Sequence, residues 1–118
     1  MLILELYVTN EKCNEVAELI VYTIKPDMEE SYQCYELETL RKLLQGFDGF
    51  ISFETYQCCT DTQTYMDIIK WESLESAIKA NEQIEIRQKS PLYKNYHTSF
   101  DLVQISSRFT RLTTLGIM

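Results

Sequence analysis

The stretch SPLYKNYHTSFDL (90–102) holds the one histidine of the chain, His97. An imidazole with an ordinary pKa near 6.5 suits a general base at neutral pH, and the same ring can ligate a metal or a haem iron. Around it stand unusually many phenols, eight tyrosines in 118 residues. If Tyr22, Tyr56 and Tyr65 lie on strands and Tyr32 and Tyr35 face them from a helix, their rings line a pocket fit for a flat phenolic or quinoid ligand. Proton-transfer chemistry on such a ligand needs a dry site, an orientation and a proton acceptor. His97 and Tyr56 are therefore the candidate catalytic residues, and Tyr22, Tyr32 and Trp71 the candidate substrate contacts. The plainer readings are that the rings fill the core edge with hydroxyls reaching water, and that His97 sits at a helix C-terminus, an interaction of roughly 0.3–1 kcal/mol.

Other side chains narrow the chemistry. Cys13, Cys34, Cys58 and Cys59 form no C-x-x-C pair and have no histidine at zinc spacing; they read as reduced thiols, with Cys58 and Cys59 pointing to opposite faces if extended. No metal site is expected. Glu54, Asp67 and Asp101, acids on predicted strands, are expected to face solvent or pair with Lys or Arg. Glu29, Glu30, Glu36 and Glu38 form the solvated face of a helix. No Gly-rich phosphate loop or dinucleotide fingerprint is present, so nucleotide cofactors are not indicated. A net charge of −7 with scattered Lys and Arg argues against nucleic acid and anionic membranes as partners. The N-terminal apolar run has no basic flank and is interrupted at Glu5, too early for a signal peptide or a membrane span, which points to the cytoplasm.

These residues need elements to position them. LILELYV (2–8) reads as a strand bounded by the polar turn TNEKCNE (9–15). VAELIVYTIK (16–25) is a β-branched strand stopped by Pro26. From Asp27 a helix begins, with acids in its first turn, Arg41 and Lys42 near its end and Gly46 as its stop; Met28, Tyr32, Tyr35 or Cys34, Leu40, Leu43 and Leu44 make its apolar stripe. GFISFETYQCC (49–59) and TYMDIIKW (64–71) form a hairpin over TDTQ. Ser73 caps a second helix with Ala77, Ile78, Ile84 and Asn81 inward, Ser90-Pro91 opens a short helix reaching about His97, and SFDLVQISSRF (99–109) is the last strand. The expected whole is one α+β domain over 1–118, with its core at about 16–109. An extra N-terminal strand precedes a ferredoxin-like β-α-β-β-α-β antiparallel sheet, and the tail 110–118 is expected to fray.

The strand 16–25 carries a further signal, because Val16, Ile20, Tyr22 and Ile24 alternate with Ala17, Leu19 and Val21 and so make both faces apolar. Helices cover one face. Burying three or four Val, Ile or Leu at roughly 1.5–3 kcal/mol each favours a second copy on the other, in a homodimer.

VAELIVYTIKPDM (16–28), LLQGFDGFISFETYQ (43–57) and YMDIIKWESLESAIKA (65–80) resemble the antibiotic biosynthesis monooxygenase-like superfamily of dimeric α+β barrels, over about residues 16–109. The resemblance implies a homodimer that binds a hydrophobic or aromatic small molecule, with cofactor-independent oxygenation as its chemistry and Trp71 as anchor or pocket wall. The alternative, from a different class, is a non-catalytic small-molecule-binding or structural dimer. SPLYKNYH is also similar to the Ser-x-x-Phe-Lys-x-x-His run of the haem-degrading members, with Ser90, Tyr93, Lys94 and His97 on matching positions. Arg87 stands where those members have a tryptophan, and residues 16–25 contain no asparagine. No cofactor is thus the main expectation, with haem binding through His97 the lesser one.

Overall fold

A computed structural model describes residues 6–9 and 14–117, and the side chains of 14–116. Strands β2 (Val16–Ile24), β3 (Phe50–Gln57), β4 (Thr64–Trp71) and β5 (Phe100–Thr110) form an open antiparallel sheet in the order β3-β4-β2-β5. Each β-α-β crossover steps over one strand, which is the ferredoxin-like arrangement expected from the sequence. Helix α1 occupies 29–44 after a 3-10 turn at Pro26–Met28; α2 is Leu74–Arg87; α3 is Lys94–Ser99 after a 3-10 turn at Pro91–Tyr93. β1 (Leu6–Thr9) does not join this sheet. It pairs with β6 (Thr114–Ile117) in a separate two-stranded ladder, Leu6 opposite Ile117 and Thr9 opposite Thr114. The tail therefore ends in a strand, because the ladder satisfies backbone groups that its weak side-chain pattern does not advertise. Residues 2–5 of the expected first strand, and 10–13 of the turn after it with Cys13, lie outside the described residues.

Local chemistry explains the boundaries. Ser73 is extended and its hydroxyl accepts from the Ser76 amide at 3.1 Å, an N-cap for α2. Ser90 plays the same part before Pro91, accepting from the Leu92 amide. The turn into β3 depends on Gly49 rather than Gly46: Gly49 has φ +81°, and a Cβ there would lie 2.6 Å from the Ser76 Cβ.

Helix α1 departs from regular geometry. A π turn at Tyr32–Glu36 separates the α turn Glu29–Ser31 from the α segment Leu37–Leu44. The extra residue rotates the stripe, so Tyr32, Glu36, Leu40, Leu43 and Leu44 face inward while Tyr35 and Cys34 are exposed. The expected inward Tyr35 and solvated Glu36 have exchanged roles. On α2, Ala77 and Ala80 are buried and Ile78 is exposed, a rotation that brings small residues close to the sheet.

The helix-side face of the sheet holds two clusters. One gathers Val16, Leu40, Leu43, Leu44, Ile69 and Trp71 with Ala77, Ala80 and Tyr93; the other gathers Tyr22, Ile24, Tyr32 and Tyr65. The opposite face carries Ala17, Leu19 and Val21 of β2 beside Met66 and Ile68 of β4 and Ile105 and Phe109 of β5. Ile105 and Phe109 are about half exposed. Both faces of β2 are apolar, and the helices cover one of them.

Candidate active site

β4 shows why an acid is buried here. Its burial alternates strictly, with Tyr65, Asp67, Ile69 and Trp71 inward. Register then sets Asp67 opposite Ile20 of β2 and Thr55 of β3, with Tyr22 opposite Tyr65 two pairs along, on the same face. Asp67 is 1% exposed. Its Oδ1 accepts from the Tyr22 hydroxyl at 2.8 Å and the Thr55 hydroxyl at 2.8 Å. The Tyr22 oxygen lies 2.5 Å from that of Tyr32 on α1. Tyr22 has a single proton, already given to Asp67, so Tyr32 donates to Tyr22. The result is an ordered chain from Tyr32 through Tyr22 to a carboxylate, and the π turn is what delivers Tyr32 to it.

Aromatic rings surround this chain. Tyr22 stacks on Phe100 at 4.7 Å and on Tyr65 at 5.7 Å, Tyr32 meets Tyr22 edge-on at 5.8 Å, and Tyr96 lies 5.1 Å from Phe100. Gln33 donates to the Tyr65 hydroxyl at 2.7 Å. Tyr22 and Tyr32 are fully buried, whereas Tyr96 and Phe100 reach solvent in part.

The electrostatics assign roles. Burial raises Asp67 to about 6, opposed by the hydrogen bonds from Thr55 and Tyr22 and by the Arg41 charge. At neutral pH it is mostly ionised, with a proton affinity fit for a general base. Burial, and next the Asp67 charge, pushes Tyr22 far above the ordinary phenol range. Tyr32 and Tyr96 are raised as well, again chiefly by burial. These phenols stay neutral at physiological pH. They can relay a proton to Asp67; they are not themselves bases.

Of the residues singled out in the sequence, Tyr22 and Tyr32 are brought together. Trp71 is buried in the other cluster, four residues or roughly 13 Å along β4 from Asp67. Its indole N–H donates to Glu18 Oε1 at 2.6 Å, and Glu18 also accepts from Asn81 Nδ2 at 3.0 Å and Arg108 Nε at 3.1 Å. Tyr56 lies on the opposite sheet face, beside Met66, and its hydroxyl donates to Glu54, which raises its pKa. His97 is exposed in the last turn of α3, where Nε2 lies 3.1 Å from the Gln88 carbonyl that caps α2. A carbonyl only accepts, so Nε2 carries the proton.

The Nε2 of His97 is engaged by a backbone carbonyl, and Arg87, ten residues earlier, lies over the Phe47 ring at 5.0 Å. The cavities described along the molecule, of about 300–560 Å³, are lined by other residues. Among the described residues no group of three or more His, Cys, Asp or Glu is arranged to hold a metal ion.

Asp67, Thr55 and Glu18 were not singled out by their types. Asp67, expected at the surface, is buried because Tyr65, Ile69 and Trp71 share its face. That period of two was legible: an acid inside Tyr-x-Asp-x-Ile-x-Trp must go where the rings go.

No family model matches the chain, and no curated protein matches it. Solved structures do. A protein from Bordetella bronchiseptica, proposed as an antibiotic biosynthesis monooxygenase, superposes with TM-score 0.68 at 15% identity, covering 83% of this chain and 97% of its own. SnoaB, a cofactor-independent oxygenase from Streptomyces nogalater, does so with TM-score 0.65 at 16% identity, covering 84% and 94%. This chain has the antibiotic biosynthesis monooxygenase-like fold. A further protein of the same proposed activity, from Chloroflexus aurantiacus J-10-fl, matches with TM-score 0.64 at 12% identity over 88% of this chain and 99% of that one. The sequence resemblance at 16–109 thus extends to the architecture, while such identities speak to fold alone.

Proposed function

We propose that this chain is a cytoplasmic, homodimeric monooxygenase-like domain that oxygenates a hydrophobic or aromatic small molecule without a cofactor. One observation carries the reading: an ionisable Asp67, joined to Tyr22 and Tyr32, lies between sheet and helices among packed aromatic rings. The oxygenase activity of SnoaB, on the same fold, supports the reaction class. In the proposed reaction Asp67 takes a proton, directly or through Tyr22, from an acidic C–H or O–H of the substrate. The resulting anion reduces dioxygen, and loss of water leaves a carbonyl: CH₂ plus O₂ gives C=O plus H₂O. Substrate approaches where Tyr96 and Phe100 reach solvent. Among the described residues no helix is long and apolar enough to cross a membrane.

The dimer rests on the second sheet face. Leu19, Val21, Ile68 and Met66 are half-buried there, and Ile105 and Phe109 half-exposed, so a twin sheet would bury them. Sedimentation of the native protein at micromolar concentration is expected to give a dimer and Ile68→Glu a folded monomer. A monomeric native protein would remove this part.

A second reading, a dimer without catalysis, is favoured by one fact: rings in mutual contact fill the space around Asp67. Oxygen uptake with a panel of anthrones and hydroquinones separates the two. The first reading requires turnover above buffer that Asp67→Asn abolishes. No turnover across the panel sustains the second.

A further inference from the structure

Tyr32 fills the space that a ligand of Asp67 would need. Its ring is fully buried, with the ring centroids of Tyr65 at 5.6 Å, Tyr22 at 5.8 Å, Phe100 at 5.9 Å and Tyr96 at 6.1 Å. Tyr96 and Phe100 form the solvent side of this cage and Tyr22 and Tyr65 its inner side, so Tyr32 stands between the surface and the relay to the carboxylate. The described cavities are lined by neither Tyr22, Tyr32 nor Asp67.

The backbone at Tyr32 differs from that under the other rings. Tyr22, Tyr65 and Phe100 belong to paired strands and Tyr96 to α3. Tyr32 opens the π turn, where the Leu37 amide donates to the Tyr32 carbonyl. Behind it Gln33, Cys34 and Tyr35 are exposed. If the surplus residue of this turn slides towards the 3-10 turn at Pro26–Met28, Tyr32 swings by about 100° away from Tyr22, while Leu40, Leu43 and Leu44 keep their places. The side-chain hydrogen bonds given up are Tyr32 to Tyr22 and Gln33 to Tyr65.

We propose that Tyr32 is a built-in stand-in for the substrate: when it swings out, its niche takes one phenol ring, whose hydroxyl donates to Tyr22 as that of Tyr32 does. The ligand class follows from what the niche already holds, a flat ring packed against other rings with a hydroxyl aimed at Tyr22. The inference rests on the reading of Asp67 as the base, to which Tyr22 joins the ligand.

The test adds phenol to the folded full chain carrying 3-fluorotyrosine and follows it by fluorine NMR, with the Tyr32 signal assigned through Tyr32→Phe. That signal is expected to move, saturably, to the position of an exposed tyrosine such as Tyr35, while that of Tyr22 stays buried. Benzene, which has no hydroxyl, should bind about tenfold more weakly, and Tyr22→Phe should remove the difference. Tyr32→Ala vacates the niche and should bind phenol about tenfold more tightly than the wild type, which must first open. A Tyr32 signal that stays buried at every phenol concentration the fold survives overturns the proposal, and this outcome is read on the wild-type sequence. Equal affinity for phenol and benzene overturns the placement of the hydroxyl. If phenol moves the Tyr32 signal and the anthrone and hydroquinone panel gives no oxygen uptake, the niche stands and the oxygenase reading falls. Turnover of the panel with Tyr32 still buried gives the reverse.

Discussion

Replacing Asp67 by asparagine tests the buried carboxylate through stability alone, with no substrate required. The two side chains are nearly isosteric, and an amide Oδ1 can still accept from Tyr22 and Thr55. What disappears is the charge. In the unfolded chain the carboxyl titrates near 3.8 and in the fold at about 6, chiefly because burial penalises the ionised form. The folded state therefore binds this proton more tightly, so its contribution to stability is complete below pH 3.8 and is lost as pH rises through 6. At about 1.4 kcal/mol per tenfold change in proton affinity, the loss is about 3 kcal/mol. Urea unfolding of both proteins from pH 3.5 to 8 isolates the term, since every other acid cancels in the difference. Wild type minus Asp67→Asn should fall by about 3 kcal/mol across this range, mostly between pH 4 and 6.5. A flat difference would mean that the carboxylate is well solvated, and a rising one that its hydrogen bonds outweigh burial. Either result would refute the account of Asp67 as a desolvated base.

Trp71→Phe keeps a buried ring and removes the donor to Glu18, so it should lower stability by about 1.5 kcal/mol in urea without changing the slope of the transition. Gly49→Ala meets both a positive φ and the Ser76 side chain and should lose more than about 1 kcal/mol by the same measurement; Gly46→Ala, with no such constraint, should lose little. His97→Ala should leave any haemin-induced Soret change as it is in the wild type, because that ring is committed to the Gln88 carbonyl.

Most of the architecture was legible because it follows from local signals with a physical mechanism. Ser73 and Ser90-Pro91 mark helix starts through hydroxyl caps, and β-branched runs ending at Pro26 and Trp71 mark strands. The site was legible in part. Tyr22 and Tyr32 were readable as partners because strand and helix periodicities both point them inward. Asp67 was not, since residue type argued for solvent and only its neighbours' period argued for burial. Tyr56 and His97 were singled out by chemistry, but an odd-numbered step on β3 and a surface turn on α3 carry them away from the cluster. The β1–β6 ladder depends on pairing between distant segments, which no local pattern encodes.

The π turn in α1 gives the helix one residue more than a regular spiral between Glu29 and Leu44 would hold. Removing one residue at 33–35 would let the helix run unbroken, yet would swing everything on one side of the cut by about 100° relative to the other. Either the Tyr32 phenol would leave Tyr22, or Leu40, Leu43 and Leu44 would leave the sheet. Anchored at both ends, α1 cannot shed its surplus residue without surrendering either the hydroxyl chain or the greasy contact that fastens it.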